Sequence, residues 1–199
     1  VEIARGCGRG CSFCSPNMRR RMSIPLEMVL EEARLNLRAG SRMILLQTED
    51  IYLYGSRDFT PNREAIVGLL HGVSELQGLE YIQVSHAALA PAVLDKKLTW
   101  EMGGILRQYS RWRRNSRPYA TFEVGIETGS TRLMKRYMAG KAKPYSPEEW
   151  PRVVREAVET LNSSGIYPLA TLIVGMPGER VEDAVATLRL VEELDSKIL

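Results

Sequence analysis

The chain has 199 residues, of which 44% are hydrophobic and 26% charged, and its formal net charge is +3. This is enough chain for one domain with a real core, and the composition is that of a globular protein, not a disordered or fibrous one. So small a charge does not demand a nucleic-acid partner, and the lack of an apolar run of about 18 residues argues against a membrane span.

Val1–Ala4 opens as a strand-like run leading into a cysteine loop. Leu26, Val29, Leu30, Ala33 and Leu37 recur at helical spacing, which predicts a helix over Pro25–Ala39. Ser23 is its candidate cap, Pro25 sits near its first turn and Gly40 stops it. Met43–Leu46 is a second strand; without polar alternation it fits burial on both faces. Asn62–Leu76 is helical again, with Ile66, Leu69, Leu70 and Val73 on one face. Tyr81–Val84 is a third strand. The stretch Ala87–Pro118 is irregular and holds Arg107, Arg111, Arg113, Arg114 and Arg117 with Trp100, Tyr109 and Trp112. An anion or nucleic-acid patch is one reading. The modest net charge favours the other, a solvated amphipathic helix whose tryptophans pack inward. Thr121–Ile126 is a fourth strand, with a short helix after Ser130. Pro147–Ser163 is helical and ends at Gly165, Leu169–Val174 is a fifth strand, and Val181–Leu194 is the last helix.

Five βα units in series predict an α/β fold with a parallel sheet and helices packed outside it. An open doubly wound sheet and a barrel compete. A full eight-unit barrel takes about 250 residues, so five units suggest a partial barrel or a fragment of one. The chain begins in one element and stops in another, so residues 1–199 read as one domain cut from a longer protein.

Ligands of such folds sit at the carboxyl ends of the strands. The polar residues just beyond each strand are therefore informative: Cys7, Cys11 and Cys14; then Gln47-Thr48-Glu49-Asp50; then Ser85 and His86; then Glu127-Thr-Gly-Ser130; then Gly175-Met-Pro-Gly-Glu179. If the strands are placed correctly, all five sets face one site. The three cysteines are the only ones in the chain and fall within eight residues. An odd, tight cluster of thiols is a poor disulfide framework and a good soft-metal site. A cubane iron–sulfur cluster takes four cysteines; three leave one iron open for chemistry. Gly6, Gly8 and Gly10 let the loop curl tightly, and Arg5 and Arg9 add positive charge that favours thiolate. Glu127 ends an apolar strand, where a carboxylate is costly unless paired. Free thiols and the lack of a visible leader suit a reducing, cytoplasmic location.

Cys7-x-x-x-Cys11-x-x-Cys14, with Phe13 before the last cysteine, resembles the signature of radical S-adenosylmethionine (SAM) enzymes. Gly125-Ile-Glu-Thr-Gly-Ser130 and Leu172-Ile-Val-Gly-Met-Pro-Gly-Glu179 resemble the branch with methylthiotransferases, oxygen-independent coproporphyrinogen oxidases and cobalamin-dependent members. The resemblance implies a partial (β/α)6 TIM-like barrel, with its sixth strand absent or beyond Leu199. It implies a [4Fe–4S] cluster on Cys7, Cys11 and Cys14, with SAM on the open iron, cleaved reductively to a 5′-deoxyadenosyl radical. By position, Gln47, Thr48 and Glu49 would meet the methionyl amino group, although the family motif there is Gly-Gly-Glu. Ser85 and Glu127 would lie near the ribose or methionyl part, and Ile173 and Phe13 near adenine. Arg19, Arg20, Arg21, Lys141 and Lys143 are the candidates to meet the SAM carboxylate. An external electron donor of flavodoxin or ferredoxin type is implied, and cobalamin in a flanking domain is an option. The substrate is not legible: nothing in these residues says whether it is RNA, a protein, a lipid or a small metabolite, and a nucleic-acid partner is left open. The rival reading is a zinc-binding structural module with His86 or another residue as fourth ligand, which lacks the second cysteine pair such sites use. An electron carrier ranks last, since no fourth cysteine exists.

Overall fold

The computed structural model describes residues 1–199. Its first strand is shorter than the sequence suggests. Ile3 N–H bonds to Gln47 O and Gln47 N–H to Val1 O, so the opening residues lie parallel to the second strand. β1 (Ala4–Arg5) then turns away to pair antiparallel with β2 (Met22–Ser23). Between them runs the cysteine loop.

α1 (Leu26–Arg38) starts at Pro25, which is itself the N-cap residue. Ser23 does not cap it; its hydroxyl accepts the Gly55 N–H at 2.9 Å. β3 (Met43–Leu46) is followed by α2 (Arg63–Ser74), whose first turn is capped by the Asn62 side chain. β4 (Tyr81–Val84) pairs parallel with β3, Met43 opposite Tyr81. Burial of β3 is one-sided, contrary to its unbroken apolar sequence. Ile44 and Leu46 are buried, while Met43 and Leu45 are 40% and 38% exposed. One face is buried in the core and the other is partly exposed.

The irregular stretch divides into α3 (Leu89–Leu94), α4 (Lys96–Gln108) and a hairpin of β5 (Arg113–Arg114) and β6 (Arg117–Pro118). α4 is amphipathic, burying Leu98, Met102 and Leu106. The tryptophans do not pack inward: Trp100 and Trp112 are 56% and 42% exposed. Four of the five arginines lie beyond the helix, three of them on the hairpin.

β7 (Glu123–Glu127) joins the chain just beyond β4 through Glu123 N–H to Ser85 O and Ala87 N–H to Glu123 O. It is followed by α5 (Thr131–Tyr137), capped by Ser130, and by α6 (Trp150–Ser163). β8 (Leu169–Leu172) pairs parallel with β7, and α7 (Val181–Glu193) closes the chain. The five parallel segments thus neighbour one another in sequence order. Each crossover of helix-forming chain returns to lay down the next parallel strand beside the last, as βα units do. The core lies between the strands and α1–α6, centred on Trp150, Phe122, Ile44, Leu69 and Val154.

Candidate active site

The cysteine loop is folded by its glycines. Gly6, Gly8 and Gly10 take φ of 76°, 72° and 79°, so the backbone reverses at every second residue. A Cβ at Gly6 would stand 2.7 Å from Arg19 O. Distant elements hold the loop. Ser12 N–H bonds to Tyr137 O at 2.9 Å, and Gly10 N–H to the Asn17 side chain at 2.7 Å.

The strongest tie is one that motif reading misses. Arg9, between two of the cysteines, is buried and pairs with buried Asp50 at 3.1 Å. Asp50 Oδ1 also accepts the N–H groups of Tyr52 and Ala88. One carboxylate therefore joins the cysteine loop to the ends of the second and third strands. Phe59 lies over Arg9, with Arg21 and Lys143 against the same ring at 5.5 Å. Arg5 is spent on Glu2 and is exposed. The expected cationic activation of the thiols is outweighed. Burial pushes the Cys7 thiol up, helped by Asp50, and burial pushes Cys11 up to about 11 against the pull of Lys141. A metal's own charge must take these protons.

A pocket of about 310 Å³ opens beside the loop at the carboxyl ends of the strands. It gathers Cys7, Cys11, Cys14, Phe13, Gln47, Thr48, Glu49 and Glu127 from separate segments of the chain. Arg9, Asp50, Lys141, His86 and Glu123 join them. Ser85 is not among the lining residues. Its hydroxyl donates to Thr48 O and accepts the Thr48 N–H, clamping the second strand's end from behind. Ile173 also lies outside the lining; its N–H bonds to Glu127 O, and its side chain packs against the core. The Gly175–Glu179 turn is tied to itself, with Glu179 accepting the Gly175 and Met176 N–H groups.

Glu127 is the most constrained residue of the site. Its φ is 63°, in the left-handed region that non-glycine residues avoid, at a bulge in the β7–β8 ladder. Buried Trp150 pins the backbone on both sides, its indole N–H reaching Ile126 O and Thr128 O at 3.1 Å. The bulge swings the carboxylate inward to meet Lys141 at 2.6 Å. Gly125 leaves the space for both: a Cβ there would lie 2.0 Å from Glu127 Oε1 and 2.4 Å from Lys141 Nζ. The sequence marks Glu127 as costly unless paired, but does not reveal its partner. Backbone strain of this kind costs about 1–3 kcal/mol and is kept where a site uses it.

The model of the radical SAM superfamily matches residues 1–191. The chain belongs to the radical SAM superfamily. Among curated relatives, a tRNA-2-methylthio-N(6)-dimethylallyladenosine synthase of Aliarcobacter butzleri is 28% identical over 198 residues, which are 98% of this chain and 41% of that protein. The ribosomal protein uS12 methylthiotransferase RimO of Cytophaga hutchinsonii is also 28% identical, over 97% of this chain and 40% of its own. The chain thus spans about two-fifths of the curated relatives it matches. Among solved structures, the radical SAM methyltransferase TsrM of Kitasatospora setae, with cobalamin and a [4Fe–4S] cluster bound, superposes with a TM-score of 0.66 at 19% identity, over 98% of this chain and 34% of its own. The [FeFe]-hydrogenase maturase HydG superposes with a TM-score of 0.59 at 13% identity, over 99% of this chain and 39% of its own. These two likenesses concern the fold.

Radical SAM membership implies a [4Fe–4S] cluster and SAM, and the residues present fit both groups. Three buried polar atoms of pocket residues lack any partner: Arg9 Nε, Glu49 Oε2 and His86 Nδ1. An unpaired N–H donor beside the cysteines suits anionic sulfur, and an unpaired carboxylate oxygen suits an ammonium. No three thiol, imidazole or carboxylate groups converge on one point closely enough for a single ion. No helix is long and apolar enough to cross a membrane.

Proposed function

We propose that this chain is the core of a radical SAM enzyme and that its parallel strands form an arc of a partial (β/α)6 barrel, all of residues 1–199 forming one domain. Cys7, Cys11 and Cys14 would hold the [4Fe–4S] cluster, and Gln47, Thr48, Glu49 and Glu127 would receive SAM. When bound, these groups supply one-electron cleavage of the SAM C5′–S bond, giving methionine and a 5′-deoxyadenosyl radical. The observation that carries the reading is the convergence of the three cysteines with the unpaired Glu49 carboxylate in one pocket.

The protein's own residues then have separable tasks. Arg9 and Asp50 fix the cysteine loop against the strand ends. The Glu49 oxygen accepts from the methionyl ammonium. Lys141 offers its charge to the methionyl carboxylate while remaining tied to Glu127, which makes it the favoured cation of the five candidates. Phe13, 47% exposed among the pocket's lining residues, would cover an adenine. Ser85 acts indirectly, by setting the backbone of Thr48. Ile173 would shape the wall from the side. A flavodoxin- or ferredoxin-type protein would supply the electron. The reaction on the substrate is left unassigned, because relatives named for a tRNA and for a ribosomal protein match this chain at the same 28% identity.

The test is anaerobic reconstitution with iron and sulfide, followed by SAM and dithionite. We expect about four irons per chain and 5′-deoxyadenosine in the products. Cluster-loaded protein that forms none would remove the enzyme reading. Stoichiometric zinc without iron or sulfide in anaerobically purified protein would establish the structural zinc module instead.

A further inference from the structure

The amino ends of the strands carry a second charged surface that the cysteine pocket does not use. From Met102 to Phe122 the chain contains no acidic residue, and within it stand Arg107, Arg111, Arg113, Arg114 and Arg117. None of the five pairs with a carboxylate, although arginines elsewhere in the chain repeatedly do. The hairpin displays them around a tight turn in which Asn115 and Ser116 take φ of 49° and 64°. It leads directly into the amino end of β7, as Gly165 and Tyr167 lead into that of β8. The surface is therefore separated from the cysteines by the length of the strands, roughly 15 Å.

A cleft of about 550 Å³ lies here, lined by Arg107, Arg114, Arg117, Asn162, Tyr119 and Tyr167 among others, without a carboxylate. Two of its three guanidinium groups, those of Arg107 and Arg114, are seated by contacts. Gly165, at φ +82°, makes room for Arg107: a Cβ would stand 2.2 Å from Arg107 Cδ. Arg107 Nε donates to Gly103 O, and Arg114 donates to Ser196 O at 2.9 Å. Arg114 also lies 4.7 Å over the Tyr167 ring, which meets Tyr119 edge-on. These contacts occupy part of each guanidinium and leave its other donors free. Next to the cleft, exposed Trp112 carries Arg111 over its ring at 5.2 Å.

We propose that the hairpin and this cleft dock single-stranded RNA. Guanidinium forks match phosphate oxygens bidentately, which explains why all five cations are arginine and none is lysine. Exposed Trp112 and the tyrosines offer faces on which unpaired bases stack. An acidic protein would satisfy the charges but would leave the exposed indole without a role. A duplex would keep its bases stacked away from it. The proposal does not depend on what the cysteine pocket holds.

The probe is a fluorescein-labelled 15-nucleotide RNA of mixed sequence, titrated by anisotropy with the 199-residue protein at several salt concentrations. Arg114→Ala/Arg117→Ala should weaken binding at least tenfold and lower the log–log salt slope by about 1.4, two phosphate contacts at ~0.7 each. Trp112→Ala should weaken it several-fold with the slope unchanged. An unaltered melting temperature shows that each variant is folded. Trp112→Ala, at an exposed position, keeps the proposal testable if the double variant is not. Lack of binding at low salt, or wild-type binding by the folded variants, overturns the proposal. Tighter binding to polyglutamate of equal length overturns it in favour of an acidic protein partner.

Discussion

At the carboxyl ends of the strands two ion pairs are taken out of water, Arg9 with Asp50 and Lys141 with Glu127. At the amino ends five arginines stand without carboxylates, most of them exposed. The same kind of side chain is being used in two physical regimes. A buried pair has already lost its water, so removing one partner strands the other at high cost, and the pair behaves as a geometric fastener. A hydrated, unpaired cation costs the fold little and keeps its donors for something outside. One end of the sheet spends charge on shape, the other reserves it for recognition.

Substitutions can break or sharpen this contrast. The largest effect is expected at the fastened end from Cys7→Ala, which should abolish iron loading on reconstitution while leaving the circular dichroism of the fold unchanged. Retention of iron at the unmodified level would refute the ligand assignment. Asp50→Asn leaves the Arg9 guanidinium buried beside a neutral amide and should cost about 3–5 kcal/mol in denaturant unfolding. Adding Arg9→Met should recover part of that loss; additive losses would mean the two side chains act independently. Glu127→Gln removes one charge of the second pair and should weaken SAM binding by roughly tenfold, about 1.4 kcal/mol, with iron content unchanged. Equal affinity measured calorimetrically would take Glu127 out of the cofactor site.

Acid should also act at this end. Arg132 and Ser130 hold the Asp183 carboxyl below the usual carboxylate range, and Arg132 also donates to Gly178 O. The pair fastens the Gly175–Glu179 turn to α5. Its stabilisation is present above the ordinary aspartate pKa of about 3.8 and is lost as pH falls through the depressed value. Asp183→Asn should therefore flatten the acid limb of a stability–pH curve, and an unchanged limb would deny the pair that role. The smallest effect belongs to the amino end, where Arg117→Ala should shift unfolding free energy by less than about 0.5 kcal/mol. A larger loss would mean that the hairpin arginines serve the fold after all.

Much of the fastened end is legible in the sequence, and the reason is topological. Once strands alternate with helices, residues after each strand must converge, so Cys7, Thr48, Glu49 and Glu127 can be placed together without knowing any distance. Hidden from the sequence are partners that converge from far along the chain. Arg9 and Asp50 are 41 residues apart and Lys141 sits on a turn after α5, so no local pattern marks them. Ser85 reads as a residue looking into the pocket, whereas its hydroxyl satisfies the backbone of Thr48, a demand visible only once the two strands lie side by side. Met43 and Leu45 read as buried because apolar sequence does not say which face is covered. The hairpin has a local signal that helical periodicity outweighs: Asn115-Ser116 between Arg113-Arg114 and Arg117-Pro118 is turn chemistry. Weighing it moves three arginines off α4.

The ties on the cysteine loop carry a consequence for how the protein is made. Ser12 waits for Tyr137, 125 residues later, and Arg9 for Lys143 O, 134 residues later. During synthesis the three thiols leave the ribosome early and their cradle leaves late. The cradle is complete only once Lys143 has emerged, so nascent chains halted before Tyr137 should be alkylated at these cysteines faster than chains extended beyond Lys143.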